Sequence, residues 1–170
     1  MGRDIHAFVE FDLGESTPFE KQGNVRAFNS GEFFVSPNDE LFQRLCGDAE
    51  LGLNKGLPRN CSFTVLRRYC VSCDSRVNLS LLETPVPLVS ETRFDELTNA
   101  PIVSDNGQTL LKPNPNWHSA NWLGYDETQK VCSVIDRYSN PEFVVILGIM
   151  TNIEHFIGKA RSRLVYWFDN

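Results

Sequence analysis

Residues 1–12 read MGRDIHAFVEFD, and this stretch decides the fold. Its odd positions from 5 to 11 are all apolar, and its even positions from 4 to 10 hold a mixed set that includes Asp4 and His6. A period of two is typical of a β-strand with one apolar and one mixed face. The stretch therefore predicts a strand whose apolar face needs a buried partner.

Residues 161–170 read RSRLVYWFDN and form a second strand of this kind. Their five consecutive apolar residues, 164–168, favour a strand, and Asp169 follows directly. Strands this apolar are not expected at solvated sheet edges, so we place both near the middle of one sheet. Asp4, His6 and Asp169 would then meet where polar side chains leave the sheet.

The rest of the pattern predicts an α+β fold. Capping residues and apolar stripes predict helices over 36–47, 62–69 and 140–158, whereas segment 130–138 fits either a strand or a helix. Strands and helices do not alternate regularly, which favours a mixed or antiparallel central sheet over a doubly wound one. We expect this sheet to contain both terminal strands and to be packed by two or three helices.

The length of 170 residues predicts a single domain, because a chain of this size buries a core of its own. Five prolines and weak periodicity over 71–116 predict a loop-rich insertion. Neither half of the chain holds a complete core, so this segment is not expected to link two domains. The prediction is one α+β domain over 1–170 with an insertion at 71–116.

The net charge of −6 disfavours a nucleic-acid duplex as partner, since phosphate binding needs clustered Lys and Arg. A small anionic ligand or a protein partner stays possible, and the oligomeric state is left open. Charges at Arg3, Asp4 and Glu10 argue against a signal peptide, and the apolar run 144–150 is too short to span a membrane. We therefore expect a cytoplasmic protein, and its odd set of five cysteines fits reduced thiols.

Asp4 and His6 share a face of the first predicted strand, with Cα atoms roughly 7 Å apart. This spacing suits two ligands of one metal ion, or a general base with its orienting carboxylate. Asp169 would add a hard oxygen ligand at the end of the second strand. A structural hydrogen-bonded pair and an ordinary chain-end carboxylate are the alternatives, and both stay open.

His118 and Ser119 lie between Trp117 and Trp122. His118 is a candidate third ligand or general base, and the indoles would shield it from water or stack on a nucleobase. The alternative is an aromatic corner with a helix beginning near Ser119. The CxxC at 70–73 lacks the second pair that a zinc ribbon needs, so we interpret it as structural.

Four short motifs stand out: MGRDIH at 1–6, GLP at 56–58 with Ser62, HS and WL within 118–123, and VYWFDN at 165–170. Together they resemble a family of small bacteriophage and prophage proteins whose features are similar to MGCDIH, GLPxxxS, HSxxWL and VxFWFDN. The chain departs from that pattern at Arg3, where the family usually has Cys, which removes a thiol-based mechanism there. Its 71–116 region also looks longer than in some members.

The resemblance implies a phage setting, hence the host cytoplasm and a role in countering host defence or redirecting host metabolism. It implies no reaction. From the residues we expect metal-assisted hydrolysis of a small phosphorylated or nucleotide-like ligand, in which Mg²⁺, Mn²⁺ or Zn²⁺ lowers the pKa of bound water. The expected roles are catalysis by Asp4, His6 and His118, ligand binding by Arg3, Ser119, Trp122 and Asn170, and metal binding by Asp4, His6 and Asp169.

Two other hypotheses compete with hydrolysis. The first is a non-catalytic binding protein that sequesters a nucleotide signal or inhibits a host protein, for which the acidic surface would suit a basic partner. The second is a buried polar network in which Asp4, His6 and Asp169 merely specify how the terminal strands pair.

Overall fold

The computed structural model of the protein describes residues 4–28, 32–35, 39–47, 55–72, 111–113 and 117–169. Within these residues the chain forms a five-stranded sheet, a separate two-stranded sheet and four α-helices. The fold is α+β, as the sequence predicts.

The strands are β1 (Ile5–Asp12), β2 (Val25–Ala27), β3 (Phe33–Val35), β4 (Cys70–Ser72), β5 (Leu111–Pro113), β6 (Trp117–Gly124) and β7 (Ser162–Asp169). The helices are α1 (Asp39–Gly47), α2 (Phe63–Tyr69), α3 (Tyr125–Val134) and α4 (Pro141–Phe156), and a short 3₁₀ helix covers Gln22–Asn24.

The main sheet is antiparallel and has the order β2-β1-β7-β6, with β3 also paired to β1. β2 lies opposite residues 10–12 of β1 and β3 lies opposite residues 5–7, so the two short strands share one side of it. On its other side β1 pairs with β7, from Ile5 opposite Phe168 to Phe11 opposite Ser162. Both terminal strands are therefore interior strands, as predicted.

Alternation along β1 and β7 divides the interior into two cores on opposite faces of the sheet. The odd residues of β1, such as Ile5 and Val9, pack with α1, α3 and α4, where Met150 of α4 is fully buried. Phe8 and Trp167 lie in the second core, against α2. Among the helices that the structure describes, α2 is thus the one that packs on the mixed face of the first strand.

The structure confirms the three predicted helices where it describes them. α4 begins after Asn140 with a proline at its first position, and the Ser62 hydroxyl caps α2 by accepting the Val65 N–H at 3.3 Å. The predicted cap of α1 at residues 36–38 lies outside the described residues. The ambiguous segment 130–138 is helical up to Val134, and residues near Ser119 form a strand rather than the alternative helix.

Most of the predicted insertion, 71–116, lies outside the described residues. Residues 71–72 and 111–113 of it are described, and they lie in β4 and β5, which pair antiparallel with each other. The chain therefore leaves and re-enters the described structure at neighbouring positions, and the single domain with an insertion stays a prediction. None of the helices that the structure describes is long and apolar enough to cross a membrane.

Candidate functional site

The two predicted terminal strands bring their polar residues together at one end of the sheet. His6 lies opposite Trp167 on β7, and its Nε2 is 3.3 Å from Oδ2 of Asp169. Asp4 contributes through its backbone, since its N–H donates to Oδ1 of Asp169 at 3.0 Å. The predicted meeting of Asp4, His6 and Asp169 is present, although the Asp4 carboxylate itself is exposed.

Glu32 joins this group, and the sequence interpretation missed it. It directly precedes β3, whose Phe33 lies opposite Ala7, so continued register would place Glu32 opposite Phe8. This position is diagonal to His6 on the same face of the sheet. Oε1 of Glu32 accordingly contacts Nδ1 of His6. No local sequence pattern reveals this contact, because it depends on which strand lies beside β1.

Arg68 of α2 completes the group by donating from Nε to Oε2 of Glu32. The four side chains differ in exposure: His6 and Glu32 are each 5% exposed, Asp169 is 27% exposed and Arg68 is 44% exposed. The centre of the group is therefore shielded from water, and its two ends reach solvent.

Aromatic side chains hold the imidazole plane. The ring of His6 stacks on Trp167, with centroids 5.9 Å apart and planes 14° apart. Trp167 is itself stacked on Phe8 and contacts Tyr69 of α2 edge to face. Since these rings are closely packed, rotation of the imidazole out of its plane would require several neighbours to move.

The imidazole has a carboxylate at each nitrogen, and this sets its chemistry. A protonated ring donates to both carboxylates, whereas a neutral ring has one N–H and one lone pair. A histidine with a buried carboxylate at one nitrogen and a partly exposed group at the other has the arrangement of an oriented general acid–base. The group can therefore hold or move a proton at this end of the sheet.

The structure does not bring the predicted metal set together as three converging side chains, because Asp4 contacts Asp169 only through its backbone N–H. Asp4, His6 and Asp169 carry suitable donor atoms, but His6 directs both nitrogens at carboxylates and Asp169 directs both oxygens at N–H groups or ring nitrogens. Across the described part of the chain, no group of three or more His, Cys, Asp or Glu side chains could hold a metal ion.

Trp122 lies away from this end of the sheet. It pairs with Val165, four residues before Asp169 on β7, which corresponds to about 13 Å along the strand. Lys55 covers its ring at 4.6 Å from the centroid and donates to its carbonyl oxygen. A ligand would have to be extended to contact both Trp122 and Asp169.

The other predicted ligand-binding residues are only partly described. Ser119 is exposed, has a φ of 54° and lies in an irregularity of β6 between His118 and Asn121. The backbone of His118 pairs with Phe168, one position from Asp169, but its side chain lies outside the described residues, as do Arg3 and Asn170.

No protein-family model matches this sequence, and no curated protein or solved structure matches it significantly. Function is therefore inferred from the geometry of the site.

Proposed function

We propose that the protein hydrolyses a small phosphorylated or nucleotide-like molecule at the end of the sheet where His6 and Asp169 meet. The observation that carries the proposal is the position of His6: Nε2 is 3.3 Å from a partly exposed carboxylate, and Nδ1 contacts the buried Glu32. An oriented imidazole beside a partly exposed carboxylate is suited to proton transfer.

His6 would act through Nε2. It takes a proton from the attacking water and returns one to the leaving oxygen, which accelerates such reactions by about 10²–10⁴-fold. The same general acid–base chemistry serves phosphate monoesters and diesters, so the geometry alone supports the reaction class rather than one substrate.

The charge of the site bears on how a phosphate would bind. Asp4, Glu32 and Asp169 carry negative charge, and Arg68 is already paired with Glu32. A phosphoryl group therefore needs a further cation to offset like-charge repulsion. The two candidates for this cation are Arg3, a predicted ligand-binding residue, and a divalent metal ion. The metal-assisted form of the reaction is part of the proposal, and the assay below tests it.

The biological setting is also part of the proposal. A phage-encoded accessory protein that counters host defence or redirects host metabolism would act on such a ligand in the host cytoplasm. This setting is supported by the motif resemblance and stays a prediction.

A non-catalytic binding protein is the second candidate. The observation in its favour is that both nitrogens of His6 face carboxylates in a ring that is 5% exposed. In this case the protein would sequester its ligand or would bind and inhibit a host protein. A sequestered ligand would be recovered unaltered with the purified protein.

The test compares His6→Ala with His155→Ala, an exposed histidine of α4. Hydrolysis of p-nitrophenyl phosphate and bis(p-nitrophenyl) phosphate is measured with Mg²⁺, Mn²⁺, Zn²⁺ or EDTA. We expect His6→Ala to lower the rate by about 10²-fold or more, because acid–base catalysis is lost. His155→Ala should retain the rate.

Two outcomes would contradict hydrolysis. Equal rates in both variants would show that His6 takes no part, and absence of turnover with recovery of an unaltered nucleotide from infected cells would favour sequestration. Loss of several kcal/mol of unfolding free energy in Asp4→Asn with His6→Ala would favour the structural network, because the buried Glu32 then loses its contact with the imidazole.

A further inference from the structure

We infer that Glu32 and Arg68 are positioning residues that place the proton of the neutral His6 ring on Nδ1 and leave Nε2 as the reacting nitrogen. Geometry alone places the ring proton. The effect of this proton position on the rate of hydrolysis rests on the proposed function.

Two carboxylates, Glu32 and Asp169, compete for the proton of the neutral His6 ring. Glu32 is 5% exposed, whereas Asp169 is 27% exposed and also accepts the Asp4 N–H. A buried carboxylate interacts more strongly with an N–H than a hydrated one, because less water screens its charge. The single proton of the neutral ring is therefore held at Nδ1, towards Glu32.

Arg68 holds the Glu32 carboxylate in its orientation towards the ring. A carboxylate this buried needs a charged or hydrogen-bonding partner. Arg68 donates to Oε2 of Glu32, and Oε1 of the same carboxylate contacts His6. Glu32 therefore binds the guanidinium with one oxygen and the imidazole with the other. Without Arg68, Glu32 loses its charge partner and no longer keeps a single orientation towards the ring.

Helix α2 carries Arg68 and also packs against the ring system around His6. α2 buries Val65 and Tyr69 in the second core, and Tyr69 contacts the indole of Trp167 on which His6 stacks. The same helix thus supplies the cation that orients Glu32 and one of the rings that fix the imidazole plane. Placement of α2 against the sheet therefore positions the reacting nitrogen.

The experiment records long-range ¹H–¹⁵N spectra of the histidine rings in the full chain, with His6 assigned from a His6→Gln spectrum. The neutral ring of His6 should show the tautomer protonated on Nδ1. Glu32→Gln and Arg68→Met should shift it to a mixture or to the Nε2 tautomer, and Arg68→Lys should restore part of the wild-type signal. Arg137→Met removes an exposed arginine elsewhere and should change nothing.

Hydrolysis of bis(p-nitrophenyl) phosphate gives the second readout. Arg68→Met should lower kcat by about tenfold or more with a smaller change in KM, because a positioning residue acts on the chemical step. A rise in KM at constant kcat would instead show that Arg68 binds the phosphate directly, and this would overturn the inference.

The two proposals fail in different ways. A wild-type ring protonated on Nε2, or ring signals that Glu32→Gln and Arg68→Met leave unchanged in folded protein, would overturn the positioning inference even if His6 is needed for hydrolysis. A Glu32-dependent Nδ1 tautomer without turnover would support the inference about the proton and contradict the proposed function. Thermal unfolding of each variant verifies that the spectra come from folded protein.

Discussion

Glu10 is an acidic residue of β1 whose side chain is buried, with 0% of it exposed. Oε2 accepts from Nε of Arg163 at 2.8 Å, and Oε1 accepts from the backbone N–H of Ser62. The guanidinium of Arg163 also lies over the ring of Phe19 and donates to the carbonyl oxygen of Asn60. This pair therefore joins the terminal strands to residues 13–24, which connect β1 to β2, and to the segment of the GLP motif and Ser62, which gives Ser62 a structural role.

Replacing Glu10 with Gln should destabilise the protein by about 3–5 kcal/mol, because it leaves the Arg163 guanidinium buried without its counter-charge. Urea denaturation measures the change in unfolding free energy. Glu15→Gln, at an exposed position, is the matched control and should stay within about 0.5 kcal/mol of the wild type. Equal stabilities of the two variants would contradict the structural role of the pair.

Tyr166 makes the stability sensitive to alkaline pH. Burial raises the pKa of its hydroxyl well above the usual value, and the hydroxyl donates to the Leu45 carbonyl oxygen at 3.0 Å. The unfolded chain therefore ionises before the folded chain does, so the stabilisation is complete below about pH 10 and is lost as the pH rises above it. Burial also raises the pKa of Cys132 to about 11, which adds to the same loss.

Tyr166→Phe is expected to lower the unfolding free energy at neutral pH by about 1–3 kcal/mol, since the Leu45 carbonyl loses its donor. The decline of its stability at alkaline pH should be shallower than that of the wild type, with the contribution of Cys132 remaining. Urea unfolding at a series of pH values measures both effects. Parallel alkaline declines would contradict this assignment.

At the scale of elements, α4 shows how length and burial overcome local preference. Val144, Val145, Ile146 and Ile149 favour a strand locally, yet residues 141–156 are helical. The helix buries Ile146 and Met150 against the sheet and leaves Val145 56% exposed. Packing of one apolar face supplies the stability that helix propensity does not.

Met150→Ala should cost about 2–5 kcal/mol, because it leaves a cavity in the first core. Val145→Ala on the exposed side of the same helix removes less buried surface and should stay within about 0.5 kcal/mol of the wild type. Chemical denaturation of both variants tests which face is buried. Similar losses in the two would show that the helix packs differently.

At the scale of the whole molecule, β1 and β7 are interior strands of the main sheet. Each pairs on both sides, whereas β2 and β3 are short and pair only with β1 among the described strands. Native-state hydrogen exchange should therefore be slowest for amides shared by β1 and β7, because these bonds open only when the whole sheet does. Faster exchange there than in β2 would contradict this interior placement.

The sequence by itself determined the two terminal strands, the faces they present, three of the helices and the polar residues at one sheet end. Alternation along a strand and capping of a helix are local patterns, so they can be interpreted without knowing which elements pack beside them. The tertiary structure alone decided that Glu32 and Arg68 belong to the group around His6 and that Trp122 lies further along the sheet. Glu32 is 26 residues from His6 and 36 residues from Arg68, and contacts of such separation depend on strand order and helix placement, which no local pattern encodes.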